Sequence, residues 1–333
     1  MPSFDPIGVI GAGAWGTALA QLAAHNGHAV HLWSYEADVA DAINTGHENT
    51  KYLPDIGLHP GITATTDPSA FSTCRLVLSV APAQHTRATL QAFASVIHAD
   101  TPVVLCSKGL EQSSLKLMTG VLAEVLPQAR PLVLSGPSFA ADVARGLPTA
   151  VTLACQDQAL GFAVAEALAG PTFRPYWSDD LVGTEVGGVV KNVLAVACGI
   201  TEGRHLGASA RSALIARGFS EMTKIGVALG ARPDTLGGLS GLGDLVLTCT
   251  STLSRNYRFG LRLAEGLSAE AIAQETHTVA EGVATAPALV RLVDQLGVDT
   301  PIIRTMAAII AGDMPVEAAI AALLSRPIRA ETE

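Results

Sequence analysis

The sequence is short of charge. Only 15% of its 333 residues are Asp, Glu, Lys or Arg and 49% are hydrophobic, which excludes a disordered chain and leaves ample material for a core. Long apolar runs are missing too. Mean hydropathy is +0.36, yet no uninterrupted apolar stretch reaches the roughly 20 residues of a spanning helix. The runs are short and broken by Gly, Pro or a charge, the pattern of buried strands and core helices. Asp5 is followed directly by the strand-like Ile7-Gly8-Val9-Ile10, with neither a basic leader nor a cleavage site, so no secretory signal is expected. Cysteine is scarce and odd in number: Cys74, Cys106, Cys155, Cys198 and Cys249 lie far apart, mostly inside apolar runs. That excludes a disulfide framework or zinc pattern and points to reduced core thiols, a cytoplasmic location and no metal. Basic residues are outnumbered, 21 Lys and Arg against 30 Asp and Glu for a net charge of -9, which argues against nucleic-acid binding. An anionic substrate would need a local basic pocket.

Two domains are expected from the length. Up to about residue 185, short apolar runs (Ile7 to Ile10, Ala29 to Trp33, Leu76 to Val80, Pro102 to Cys106, Pro131 to Leu134 and Thr149 to Ala154) alternate with helix-like stretches (Thr17 to Asn26, Thr86 to Ile97 and Leu115 to Leu126). This alternation predicts a doubly wound, largely parallel α/β sheet over residues 1–185. Beyond it the strand-like runs stop. Lys191 to Ile200, Ser209 to Leu229, Tyr257 to Glu265, Thr285 to Leu296 and Val316 to Leu324 have helical spacing, so 186–333 is expected to be an all-α substrate domain. Its Ala and Gly content could support a homodimer. There is no internal repeat, low-complexity tract or Pro/Ser-rich linker.

Gly11-Ala12-Gly13-Ala14-Trp15-Gly16 is a G-x-G-x-x-G that follows a strand and opens an Ala/Leu helix, the context in which this fingerprint signals a dinucleotide. Gly11 permits the tight turn, Gly13 lets a pyrophosphate approach the backbone, and Gly16 lets helix and strand pack closely. The second strand ends Trp33-Ser34-Tyr35-Glu36. Ser34 aligns with the acidic position that binds the ribose of NAD, leaving room for the 2'-phosphate of NADP, but no Arg stands beside it. Glu36 either repels that phosphate or is a solvated residue of a helix's first turn. NAD and NADP both remain open.

Two other strand ends carry polar signatures, Ser107-Lys108-Gly109 and Ser135-Gly136-Pro137-Ser138-Phe139-Ala140, where an open α/β sheet binds ligands. Lys108 reads as a surface lysine or as an ammonium for substrate. Ser138 reads as a helix cap, with donation to a ligand compatible. Lys191 is the one charge between Glu185 and Glu202; it either snorkels outward or sits in a pocket as a proton donor. Finally, the glycine-rich run ending Gly241-Leu242-Gly243-Asp244 is followed eleven positions on by Ser254-Arg255-Asn256, donors suited to a phosphate. Asp244 as a plain N-cap and Arg255 with Arg258 as a solvated helix start would be the bland account.

Taken in order, GAGAWGTALA (11–20), SKGLE (107–111), SGPSFA (135–140), GGVVKNVLAVACGI (187–200), GLGDLVLTCT (241–250), SRNYRFG (254–260) and VAEG (279–282) resemble the bacterial NAD(P)-dependent glycerol-3-phosphate dehydrogenases nearly end to end. The resemblance implies reversible hydride transfer between dihydroxyacetone phosphate and sn-glycerol 3-phosphate, supplying phospholipid synthesis. It implies Lys191 as general acid/base and Lys108, Gly136, Ser138, Lys191, Asp244, Ser254, Arg255 and Asn256 as the substrate pocket, with Asp244 available to hold the lysine. Lys108 and Arg255 would also reach the cofactor, whose site Gly11, Gly13, Ala14, Trp15, Gly16, Tyr35, Ala140, Val279 and Glu281 would complete. Ala14 replaces a frequent Ser of the family and Tyr35 a frequent Arg or His, which weakens the case for strong NADP preference. Two rivals are a hydroxy-acid or sugar-acid dehydrogenase of the same plan and a non-catalytic NAD(H) sensor.

Overall fold

The computed structural model describes residues 4–276, 280–328, 330 and 331. It divides into two compact units: residues through Gly188 with Leu229–Asp244, and Val189–Ala228 with the residues from Leu245 onward. The first switch lies three residues beyond the boundary expected from sequence, and the first unit takes back a later segment.

Among the described residues of the first unit ten strands form: β1 (Ile7–Ile10), β2 (Val30–Trp33), β3 (Glu48–Asn49), β4 (Leu53–Gly57), β5 (Ile62–Thr65), β6 (Leu76–Ser79), β7 (Pro102–Leu105), β8 (Arg130–Ser135), β9 (Thr149–Ala154) and β10 (Phe173–Ser178). Eight make one sheet in the order β10-β9-β8-β7-β6-β1-β2-β5, and β3 with β4 makes a separate antiparallel hairpin. All pairings in the large sheet are parallel except β8 with β9, the α/β architecture expected. The reversal of order beside β1, between β6 and β2, is where such a sheet opens a crevice for a ligand. Side chains alternate across the sheet: Ile7 and Val9 join one apolar cluster, and Ile10 joins another with Val77, Val103 and Leu105. Burial on both faces explains the continuous apolar runs.

Four strands of the unit, β3, β4, β5 and β10, are not evident from the sequence pattern. β5 reads Ile-Thr-Ala-Thr, too short and polar to stand out, and β3–β4 is held by tertiary contacts. β10 contains Pro175, which argues against a strand; it forms at the sheet edge, where Pro is tolerated.

The helix Leu181–Gly203 is 23 residues long, and its most apolar window has mean hydropathy 1.5, enough by length and composition to cross a membrane. The sequence pattern gives only its Lys191 to Ile200 part, because Glu185, Lys191 and the glycines interrupt the apolar runs. In the folded chain 89% of that window is buried, as in a core helix. Within the second unit its later turns meet the helix Arg255–Ala264 through glycine. A Cβ on Gly260 would lie 2.9 Å from Gly199 Cα and run into the Val196 carbonyl oxygen, so the two backbones touch and no larger residue fits.

Glu221 ties two helices of this unit. From Gly207–Ala228 its buried carboxylate accepts the N–H groups of Ile302 (2.8 Å) and Ile303 (3.1 Å), at the start of Pro301–Ala311. Burial pushes its carboxyl up to about 7 against the opposing effect of those two N–H groups. The folded state therefore holds a proton that the unfolded state has released, and stability falls as pH rises between the two values. We expect Glu221→Gln to gain stability relative to wild type, by up to about 3 kcal/mol, as pH rises from about 5 to about 8. Denaturant titrations across that range read the difference; a pH-independent gap between the two proteins would contradict the assignment.

Candidate active site

Three loops at the carboxyl ends of parallel strands carry the candidate residues of the first unit. After β1, Gly11 takes φ +116°, a conformation open to glycine and costly for other residues. A Cβ on Gly16 would strike the Gly11 carbonyl oxygen, whereas one on Gly13 would meet no protein atom within 4 Å. Gly16 is thus required by packing and Gly13 is not. Among the described residues no side chain caps the helix Ala14–His25 that begins here, and its first N–H groups face outward at the positive end of the helix dipole. The Trp15 Nε1 group is buried without a partner among the described residues. Uncapped N–H groups, open space over Gly13 and an orphaned donor fit the pyrophosphate of a dinucleotide.

The loop after β7 carries Lys108. Its Nζ donates to Asp244 Oδ2 at 2.8 Å and to the Gly136 carbonyl at 3.1 Å, while Asp244 is 1% exposed. A buried carboxylate without a cation is strongly disfavoured, so the pair fixes both partners. The stem of Lys108 lies over Gly188, where a Cβ would come within 3.2 Å of it. The loop is stapled from below: Ser107 Oγ donates to the Ala81 carbonyl, Gln84 bonds both Leu110 and Gln112, and Arg87 grips Glu111 with two bonds of 2.8 and 2.9 Å. Lys108 is therefore a held side chain rather than a surface lysine. Ser138 corrects the sequence reading. Its hydroxyl donates to the Gly136 carbonyl at 3.1 Å, and the helix Ala140–Ala144 starts on Phe139 with no side-chain cap. The backbone turn at Gly136, φ +152°, brings that carbonyl back within reach of both Ser138 and Lys108.

The second unit holds the other set. Lys191 is 6% exposed, which settles the choice between outward and inward in favour of burial. Its Nζ donates to Thr248 Oγ1 at 3.0 Å. One position on, Asn192 starts a buried chain: its Oδ1 accepts from Asn256 Nδ2 (2.9 Å) and its Nδ2 donates to Glu281 Oε2 (3.3 Å). Asn256 Oδ1 accepts the Gly282 N–H at 2.9 Å. Asn256 and Glu281, expected as ligand contacts, thus also brace the turn into the helix Glu281–Leu296. Ser254 caps the helix Arg255–Ala264, its Oγ accepting from Tyr257 N at 3.3 Å, which leaves its hydroxyl proton to donate. Arg255 is an exposed first-turn residue. A cation at a helix N-terminus is electrostatically misplaced unless an anion joins it.

Tyr35 is 86% exposed and Ala140 opens its short helix. Val279 lies outside the described residues. Sequence reasoning missed Thr248 and Asn192, whose neighbours Cys249 and Lys191 drew attention instead; their hydrogen bonds depend on helix pairing that no local pattern announces.

Both halves of the chain match models of a single family, described as the NAD-dependent glycerol-3-phosphate dehydrogenase N-terminus over residues 6–161 and C-terminus over 180–321. The chain belongs to the NAD-dependent glycerol-3-phosphate dehydrogenase family. A relative named glycerol-3-phosphate dehydrogenase [NAD(P)+] from Caulobacter vibrioides is 59% identical over 329 residues, 99% of either chain. One of the same name from Maricaulis maris is 56% identical over the full length of both. Among solved structures, the glycerol-3-phosphate dehydrogenase of Coxiella burnetii superposes with a TM-score of 0.93 at 38% identity, over 97% of this chain and all of that one. As a member of this dehydrogenase family the chain is an NAD(P)-dependent oxidoreductase.

The two glycines make separable predictions. Gly13→Ala is expected to keep the melting temperature of the free protein while weakening NADH binding at least tenfold, because the new methyl occupies space only a ligand needs. Gly16→Ala is expected to lower both. Fluorescence titration and thermal melts test this; unchanged NADH affinity in Gly13→Ala would remove the pyrophosphate from this loop.

Proposed function

We propose that this family member interconverts dihydroxyacetone phosphate and sn-glycerol 3-phosphate, with Lys191 as the proton donor and Arg255 as the phosphate anchor. The observation that carries this reading is Lys191 itself: an ammonium 6% exposed and held by a hydroxyl. NAD(P)H, held by the Gly11–Gly16 loop, would supply the hydride for the C2 carbonyl carbon. As that C–H bond forms, the carbonyl π electrons move to oxygen, and the Lys191 ammonium neutralises the growing negative charge by giving up a proton. The product is the secondary alcohol and a neutral amine, with Thr248 retaining the lysine in place. In the reverse direction the neutral amine takes the hydroxyl proton.

Lys108, pinned by Asp244, offers a second positive charge for substrate or cofactor oxygens. Arg255 adds a fork of donors to the N-terminus of its helix, and with the Ser254 hydroxyl this suits the three oxygens of a phosphate monoester. Holding that remote group orients the carbonyl for attack. These are the local cations that a chain of net charge -9 needs to bind an anion. In the cell the product would feed phospholipid synthesis. A reducing, cytoplasmic location is supported by five buried cysteine thiols; a homodimer stays an expectation for sedimentation to decide.

Lys191→Ala should lower kcat by roughly 10²- to 10⁴-fold with NADH affinity kept; unchanged kcat would defeat the assignment. Arg255→Ala should chiefly raise KM for dihydroxyacetone phosphate. If turnover of dihydroxyacetone, lacking the phosphate, fell equally, Arg255 would not be the anchor.

A further inference from the structure

The pyrophosphate loop has a neighbour that the reaction does not account for. β2 runs beside β1, and Gly11 N donates to the Trp33 carbonyl at 3.0 Å, so the chain leaving β2 passes next to the glycine loop. Ser34 is buried there and spent on its own turn: its Oγ donates to the Glu36 carbonyl (2.8 Å) and accepts the Glu36 N–H (3.2 Å). Tyr35 carries no charge. Glu36, about 20 residues past Gly16, is the carboxylate at the position where a Rossmann domain meets the adenosine ribose.

That carboxylate is engaged on both oxygens. Lys51 Nζ donates to Oε1 at 2.5 Å and the Tyr52 hydroxyl to Oε2 at 2.7 Å, and these bonds hold the Glu36 carboxyl below its ordinary value. Lys51 and Tyr52 come from the turn between β3 and β4, and that hairpin is anchored to the cofactor loop. Asn49, 1% exposed, donates to the Ala12 carbonyl at 2.8 Å and to Thr17 Oγ1 at 2.8 Å, and its Oδ1 accepts the Tyr52 N–H at 3.1 Å. The hairpin is thus clamped between the glycine loop and the first turns of its helix, and its tip presents Lys51 and Tyr52 to Glu36.

We propose that Glu36, Lys51 and Tyr52 form a two-way selector for the ribose end of the cofactor. Glu36 accepts the free 2'-hydroxyl of NAD, whereas Lys51 and Tyr52 leave Glu36 to bind the 2'-phosphate of NADP. Lys51 then supplies the cation that Tyr35 lacks. The pair is neutral as a unit, so neither cofactor meets a net repulsion, and the carboxylate released from Lys51 stays exposed to water when NADP is bound. Exchanging one charge-assisted partner for another of like sign leaves the preference shallow in either direction.

This inference rests on the dinucleotide reading of the Gly11–Gly16 loop, and the test separates the two. Calorimetric titrations of 2',5'-ADP and 5'-AMP, with NADH binding by fluorescence, would be run on wild type, Lys51→Ala, Lys51→Arg and Glu36→Gln. Lys51→Ala should weaken 2',5'-ADP roughly tenfold or more while 5'-AMP and NADH move by less than about threefold. Lys51→Arg should restore 2',5'-ADP, and Glu36→Gln should tighten 2',5'-ADP while weakening 5'-AMP and NADH. If Lys51→Ala shifts all three ligands equally, or none, while wild type binds NADH, the selector is wrong and the dinucleotide site stands. If wild type binds neither NADH nor 5'-AMP, the loop reading fails and takes the selector with it.

Discussion

A carboxylate that is 1% exposed stays charged only where a cation or several strong donors meet it, and Asp244 has Lys108. Much of the first unit follows from that requirement. The pair joins a residue at the end of a sheet strand to one that lies 136 positions later, which requires residues 229–244 to return to the unit they left. The return is secured at its start by Asp180, whose carboxylate accepts the Gly183 N–H at 2.8 Å and the Arg232 N–H at 2.9 Å. It is secured near its end by glycine, since a Cβ on Gly187 would strike the Ser240 carbonyl. Removing one partner of such a pair typically costs 3–5 kcal/mol, so the ion pair constrains the fold firmly while holding the Lys108 ammonium in one place.

The same logic runs through the rest of the chain. With few charges in the sequence, those that are buried are placed with care: Lys191 on a hydroxyl, Glu221 on two backbone N–H groups, and Glu185 on the Thr119 N–H (3.0 Å) and hydroxyl (2.6 Å). Burial pushes both glutamates up to about 7, which shows how much their hydrogen bonds must offset. Each of these residues ties a helix to another element, so composition and architecture are linked: an apolar chain spends its few buried charges as joints.

How much of this was legible beforehand can be traced residue by residue. The glycine loop, Lys108 and Lys191 stood out because glycine spacing and an isolated charge are local signals. The parallel sheet followed from alternating runs, although β10 hid behind Pro175. What stayed hidden was pairing across the fold. Nothing local links Lys51 to Glu36, Thr248 to Lys191, or Asn49 to Ala12. Ser138 was misread for the same reason: its serine-rich turn suggests a cap, whereas the Gly136 carbonyl that takes its hydroxyl is presented by a backbone turn only the fold reveals.

The central claim is that this chain reduces a phosphorylated ketone with a nicotinamide cofactor. Loss of NADH and NADPH absorbance on adding dihydroxyacetone phosphate, each cofactor alone, tests it most directly. Oxidation of both is expected, and it should be far slower when phosphate is absent from the ketone at the same concentration. Binding of NADH with no oxidation of either cofactor would contradict the account, leaving a dinucleotide fold without this reaction.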